Sequence, residues 1–229
     1  KGGRLLVVRI LSVDVTANTQ IYTELPQPRG TVTALALDAL LENLYVGTAD
    51  GQVVHVALSE TESPEMRAAY TVAASSTTVT TLGFLSGDRS LVVMSEDGAV
   101  STWGLVRRAD APSGWTLTQI HTLRAHNAPV TAFAPSQRVK GFVTGDRKGN
   151  LFLHHATSSQ TLLRLANSEF PIRAVAFAPK GDGLIALDGA GQLSLYQVQN
   201  AYPEVTLETL FAKVWYEGYD QPAHVWQSS

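Results

Sequence analysis

The chain has 229 residues and a formal net charge of -3, and its 16% of charged residues lies below the ~25% usual for soluble domains. This balance argues against a nucleic-acid binder that works through a basic patch. Cysteine is absent, which excludes disulfides, cysteine-ligated metals and thiol nucleophiles, and no run of 18 apolar residues predicts a transmembrane helix.

The chain begins with an apolar segment, residues 3–10, that follows a glycine and predicts a β-strand entered midway through a repeat. Similar segments follow four later glycines, so the series is Gly3, Gly51, Gly98, Gly149 and Gly191. Their spacings of 48, 47, 51 and 42 residues indicate a structural repeat. We expect each glycine to close a hairpin turn between two strands, where a positive φ angle favours glycine.

Each repeat predicts four antiparallel strands. The first strand begins nineteen residues before the glycine, at Val32, Val79, Val130 and Ile172. A second apolar triplet and a third, alternating segment lie on either side of the turn. The predicted fourth strands are residues 65–72, 115–123, 161–165 and 205–211.

The first strand of each repeat has small residues at its third and fifth places and a bulky residue between them, as in Ala132, Phe133 and Ala134. Both faces are therefore apolar, which is typical of a strand between two sheets that converge on an axis. We predict an all-β fold, a β-propeller with four complete four-stranded blades and part of a fifth. The units resemble WD40-type blades, with an aromatic residue, Trp103 or Tyr196, five places after the glycine.

The repeat also predicts how the chain is divided. A partial blade would occupy residues 1–29, and the complete blades would occupy about 30–72, 73–124, 125–166 and 167–211, followed by a separate segment at 212–229. Four blades and a part leave an unpaired sheet edge. We therefore expect the chain to be a fragment of a larger propeller.

The polar residues do not predict catalysis. The sequence contains no glycine-rich phosphate loop, nucleophile elbow or His-Glu-x-x-His motif, and we expect neither enzymatic activity nor a cofactor. His154 and His155 are adjacent on a strand and point to opposite faces, so we interpret them, like His126, as structural. Asp146 and Asp188 lie three residues before their turn glycines and are expected to bind the turn backbone, with a ring of acceptors around a channel as the alternative.

The C-terminal segment differs in composition from the blades. It concentrates Trp215, Tyr216, Tyr219 and Trp226 within twelve residues. One interpretation is an aromatic latch over the last blade. The other is a contact with a membrane surface or a partner, where tryptophan and tyrosine are favoured.

Residues 211–229 resemble the stretch that closes the soluble domain of the large-form phosphate ABC transporter permease subunit (PstC-like) and leads into its membrane helices. The blades upstream also resemble the soluble insertion of that family. The resemblance implies a periplasmic domain at the bacterial inner membrane. It implies as partners a second permease subunit, an ATPase subunit and a periplasmic phosphate-binding protein.

On this basis we expect a non-catalytic domain that contributes to phosphate import as an interaction or regulatory module. The alternative is a general propeller scaffold for a multiprotein envelope complex. A third interpretation, direct binding of phosphate, would need basic groups at the channel, and Arg173 is the only basic residue in the four first strands.

Overall fold

The computed structural model of the chain describes residues 6–10, 19–24, 30–58, 66–85, 87, 89–111, 114–123, 126–138, 140–158, 160–178 and 183–197. Within these ranges the chain contains seventeen β-strands and no helix. All strand pairs are antiparallel and join strands that are consecutive in the chain. The prediction of an all-β fold is therefore confirmed.

The strands are short, as expected for propeller blades. In chain order they are β1 Leu6–Ile10, β2 Thr19–Glu24, β3 Val32–Leu37, β4 Asn43–Thr48, β5 Gln52–Leu58, β6 Met66–Ala73, β7 Val79–Phe84, β8 Ser90–Ser95, β9 Val100–Arg107, β10 Trp115–Leu123, β11 Val130–Pro135, β12 Gly141–Asp146, β13 Asn150–His155, β14 Thr161–Asn167, β15 Ile172–Phe177, β16 Gly183–Asp188 and β17 Leu193–Gln197.

The strands form five sheets. Three have four strands in chain order, β3 to β6, β7 to β10 and β11 to β14. Strands β15 to β17 form a three-stranded sheet, and β1 pairs with β2. The fourth strand predicted for the last blade, residues 205–211, lies outside the described residues, and the predicted blade boundaries stay predictions.

The four larger sheets are arranged in sequence around an axis. Their first strands touch in succession, β3 against β7, β7 against β11 and β11 against β15. Sheets that meet through their first strands in this way are the blades of a β-propeller. The prediction of a WD40-like propeller with a partial blade is confirmed.

The hairpin between the second and third strands of each blade turns at a glycine. At Gly149 the φ angle is 80°, and a Cβ atom there would lie 2.0 Å from the carbonyl oxygen of Ser168. Both the backbone angle and the contact with the next loop therefore require glycine. The other predicted turn glycines, Gly51, Gly98 and Gly191, have φ angles of 80°, 87° and 84°, and Gly3 lies outside the described residues.

The hydrophobic core lies between the sheets. A Cβ atom at Gly83 on β7 would stand 2.5 Å from Cε1 of Phe133 on β11. At Gly145 on β12 it would stand 2.4 Å from Cγ2 of Ile172 on β15. Small residues on one sheet thus leave the space that bulky residues of the next sheet fill, and the close packing of the core depends on this match.

Candidate interaction surface

Each sheet has one face that points toward the next sheet along the chain, which we call its forward face. In the sheet β11 to β14 this face is apolar, and it is buried against β15 and β16. Its members are Ala132, Ala134, Val143, Gly145, Leu151 and Leu153. The next sheet therefore shields this whole face from solvent.

The last sheet, β15 to β17, carries an apolar forward face that no described residue covers, and we call it the terminal face. Its members occupy the same repeat places and are Ala174, Ala176, Ile185, Leu187, Leu193 and Leu195. Ile185 is 45% exposed, and Leu193 and Leu195 are each 69% exposed.

The third strand shows the difference between the sheets most clearly. The places of Leu193 and Leu195 are buried in all three preceding sheets, where the side chains are at most 2% exposed: Val53, His55, Val100, Thr102, Leu151 and Leu153. The terminal face thus has the composition of an interface between blades, but it is open to solvent.

The opposite end of the array is also open at its first strand. Leu35 and Leu37 on β3 are 54% and 46% exposed, whereas Leu82, at the place of Leu35 in the next sheet, is 8% exposed. Leu35 also holds the place of Phe133, which fills the space above Gly83. One end of the array therefore presents the bulky Leu35 and Leu37. The other end, the terminal face, presents two small alanines on its first strand and two leucines on its third.

The most extensive polar cluster lies inside the sheet β11 to β14, where it links four buried side chains in a row. Asp146 accepts a hydrogen bond from Nδ1 of His126 at 2.9 Å. Thr144 donates to Nε2 of His126 at 2.6 Å and accepts from Nε2 of His154, also at 2.6 Å. Nδ1 of His154 accepts from the hydroxyl of Thr161 at 3.0 Å.

These donor and acceptor roles follow from two conditions: the Asp146 carboxylate only accepts hydrogen bonds, and burial keeps both imidazoles neutral, so that each has one donor and one acceptor nitrogen. Burial, with a smaller effect of the nearby His126, lowers the pKa of His154 to about 3. Burial also lowers the pKa of His126, despite the opposing effect of Asp146. The cluster is therefore structural.

The acidic residues of the turns bind backbone. Oδ1 of Asp146 accepts hydrogen bonds from the amides of Lys148 and Asn150, each at 2.9 Å. Asp188 binds its own turn in the same way through the amides of Ala190 and Gln192. The alternative of a ring of acceptors around a channel gains no support from these bonds.

The remaining candidate sites stay apart. His154 and His155 make separate hydrogen bonds, to Thr144 and Thr161 in one case and to Ser158 in the other. Within the described ranges, no three histidine or acidic groups could hold a metal ion, and no helix is long and apolar enough to cross a bilayer. The aromatic candidates lie outside the described residues, and they are Trp215, Tyr216, Tyr219 and Trp226.

Comparison with known proteins shows the fold. The β-propeller of Cps50 (Swd1) from Myceliophteria thermophila superposes with a TM-score of 0.67 at 16% identity, over 86% of this chain and 64% of that chain. Sqt1 of Chaetomium thermophilum, solved with the N-terminus of ribosomal protein L10, gives 0.66 at 18% identity, over 79% and 51%. The computationally designed Ika8 protein gives 0.62 at 19% identity, over 88% and 58%.

No family model matches the chain. A curated relative, telomerase protein component 1 of Rattus norvegicus, is 30% identical over 111 residues, which are 48% of this chain. The chain spans 4% of the length of that protein. The similarity is therefore confined to a small part of a much longer protein.

These comparisons show that the assignment to the phosphate permease family is wrong. The structural neighbours of this chain are WD40-like propellers, and the curated relative described above is a telomerase component. The resemblance depended on residues 211–229, which lie outside the described residues, and on a blade pattern that unrelated propellers share. The expected role in phosphate transport is therefore also wrong. The same applies to the expected partners, which were the second permease subunit, the ATPase and the phosphate-binding protein.

Proposed function

We propose that the chain is a non-catalytic interaction module that assembles through its terminal face with another β-sheet of the same repeat type. The observation that carries the proposal is the 69% exposure of Leu193 and Leu195, on a face that adjacent blades otherwise bury. A large contiguous apolar patch on a protein surface marks an interaction site. This module corresponds to the scaffold alternative of the sequence analysis.

The comparisons support a role in binding protein. Sqt1, which shares the fold, was solved with a peptide segment of ribosomal protein L10 bound. The buried polar groups of the sheet β11 to β14 are consistent with this role, because the His126 cluster and Asp146 are used in hydrogen bonds that hold the blade. The periplasmic location stays a prediction, and the proposed module does not depend on it.

A second copy of the chain provides the sheet that fits. It presents Leu35 and Leu37 on an exposed first strand, and Leu35 has the place from which Phe133 packs onto Gly83. Ala176 has the place of Gly83 on the terminal face. Leu35 of one copy would therefore pack onto Ala176 of another, in a head-to-tail contact.

The oligomeric state of the purified chain tests this proposal. We expect sedimentation velocity to show an assembly that grows with protein concentration. Because the assembly buries apolar side chains, replacing Leu193 and Leu195 together by aspartate should leave a folded monomer.

The matched control is Ile120→Asp, a change at a side chain that is 51% exposed on β10, away from the terminal face. This variant should assemble like the original chain. An original chain that stays monomeric at the highest soluble concentration would overturn the proposal, and so would assembly that survives the double aspartate change.

A further inference from the structure

A groove of about 380 Å³ lies on the last sheet, on the face opposite the terminal face. It is formed by the loop before β15 together with β16 and β17. Side chains that line it include Ser168, Glu169, Phe170, Asp188, Ser194 and Tyr196. This volume lies within the range of pockets that hold small ligands.

The same place in the preceding sheet is filled. His126 has the repeat place of Ser168, and Phe152 has that of Ser194. The rings of His126 and Phe152 pack edge to face, with their centroids 4.7 Å apart. In the last sheet two serines replace both rings, and Ala186 replaces Thr144, so the space that these side chains occupy is open.

The acidic group of the cluster is retained without its histidine. In the preceding sheet, Oδ2 of Asp146 accepts from His126 at 2.9 Å and from the side-chain amide of Asn150 at 2.7 Å. In the last sheet, Oδ2 of Asp188 accepts from the hydroxyl of Ser168 at 2.6 Å. This hydroxyl takes the place of the imidazole donor. Among the described residues no side chain takes the place of the second donor, the Asn150 amide, so that position on Oδ2 is left for a ligand.

Asp188 is negatively charged at neutral pH. The hydrogen bond from Ser168, followed by that from the backbone of Gln192, holds the pKa of this carboxyl below its usual value. Among the described residues the ion pair between permanently charged groups is that of Arg108 with Asp110, so Asp188 has no cationic partner there. Its charge is available to a ligand.

We propose that this groove binds an arginine side chain of a protein partner. Asp188 and the nearby Glu169 provide two carboxylates, and Phe170 and Tyr196 provide aromatic surfaces. A guanidinium group is planar, always charged and rich in donors, and it stacks on aromatic rings while it binds carboxylates. It therefore matches this lining.

The lining also explains why the arginine belongs to a polypeptide. None of the described residues that line the groove is basic, so a free amino acid would find no group for its α-carboxylate. An arginine within a polypeptide has no free α-carboxylate, so it needs no basic group in the groove. The site is independent of the proposed assembly, because Ser194 in the groove and Leu195 on the terminal face lie on opposite faces of β17.

Titration of the chain with N-acetyl-argininamide, followed by ¹H–¹⁵N NMR, tests the site. We expect saturable shifts of the amides of Ser168, Ala190 and Gln192. The citrulline analogue has the same shape without the charge, and it should bind about tenfold more weakly. Free arginine should not bind more tightly than N-acetyl-argininamide.

Two changes in the chain identify the groove. The double variant Ser168→His with Ala186→Thr restores the histidine and the threonine of the preceding sheet, places an imidazole in the groove beside Asp188, and should abolish the shifts while the chain stays folded. Glu169→Gln should weaken binding severalfold. Glu96→Gln, on an exposed turn after β8, is the matched control and should bind like the original chain.

Three results would overturn the proposal: no saturable shift at the groove, equal binding of the citrulline analogue, or unchanged binding by the folded double variant. If the double variant fails to fold, Glu169→Gln with its control decides alone. Because the proposed assembly uses the other face, the Leu193 and Leu195 double aspartate variant should keep its affinity for N-acetyl-argininamide.

Discussion

Two buried imidazoles, those of His126 and His154, make the sheet β11 to β14 sensitive to acid. The pKa of His154 falls from 6.5 to about 3 on burial, and that of His126 also falls. Between about pH 6.5 and about pH 3, the unfolded chain therefore binds more protons than the folded chain. Lowering the pH through this window favours unfolding by up to about 1.4 kcal/mol per pH unit from His154, and His126 contributes in the same direction.

We expect the urea midpoint of the chain to fall between about pH 7.5 and about pH 5. His154→Trp should reduce this dependence, because tryptophan does not titrate. Trp103, at the same place in the preceding sheet, donates to the hydroxyl of Ser101 at 2.8 Å. An equally steep dependence in the variant would show that protonation of His154 does not drive acid unfolding.

A second prediction concerns Asp146, which is 0% exposed and accepts four hydrogen bonds. Asp146→Ala would leave these donors unpaired in the core, so we expect a loss of about 3 kcal/mol or more in the free energy of unfolding. The control is Asp110→Ala, which removes an exposed ion pair with Arg108 and should cost less than about 1 kcal/mol. Urea denaturation gives both values, and similar losses would contradict the prediction.

A turn can require glycine for two reasons, a positive φ angle and a lack of space for a Cβ atom, and two turns of this chain differ in the second. Gly149 and Gly191 have φ angles of 80° and 84°, but a Cβ atom at Gly149 would meet the carbonyl oxygen of Ser168 at 2.0 Å, whereas one at Gly191 would meet nothing within 4 Å. Gly191→Ala should therefore cost only the strain of the backbone angle, about 1–2 kcal/mol. Gly149→Ala should cost more, because the loop at Ser168 must also move.

Thermal unfolding of the two alanine variants measures this difference. A larger loss at Gly191 than at Gly149 would show that the contact with the loop is unimportant. The shape of the turn itself could be predicted from the spacing of the glycines. The contact of Gly149 with Ser168 could not, because it joins a hairpin to the loop that precedes the next blade.

The polar cluster shows the same limit to prediction. Residues His126 and Asp146 could each be interpreted as structural from local context, but their hydrogen bond joins a loop before β11 to the end of β12. The available signal was the place of His126 four residues before Val130, at the start of a blade. In the last blade that place holds Ser168, and the groove that follows from this exchange becomes evident only when the two sheets are compared.

For the whole molecule, the repeat predicted the blades, and the pattern of small and bulky residues predicted how they pack. The pattern could not reveal which faces stay open, because Ala174 and Ala176 follow the same rule as Ala132 and Ala134 although only the latter pair is buried. Burial of a face depends on what lies beyond it. Whether the two ends of the array contact each other therefore has to be tested by experiment.

Cysteine cross-linking tests the head-to-tail contact, since the chain has no cysteine of its own. Leu35→Cys and Ala176→Cys, made as separate proteins and mixed under mild oxidation, should form a disulfide-linked pair, because Phe133 and Gly83 are in direct contact at the equivalent places. Neither protein alone should cross-link efficiently. Dimers of Leu35→Cys alone would instead indicate a two-fold contact between identical patches, which contradicts the head-to-tail arrangement.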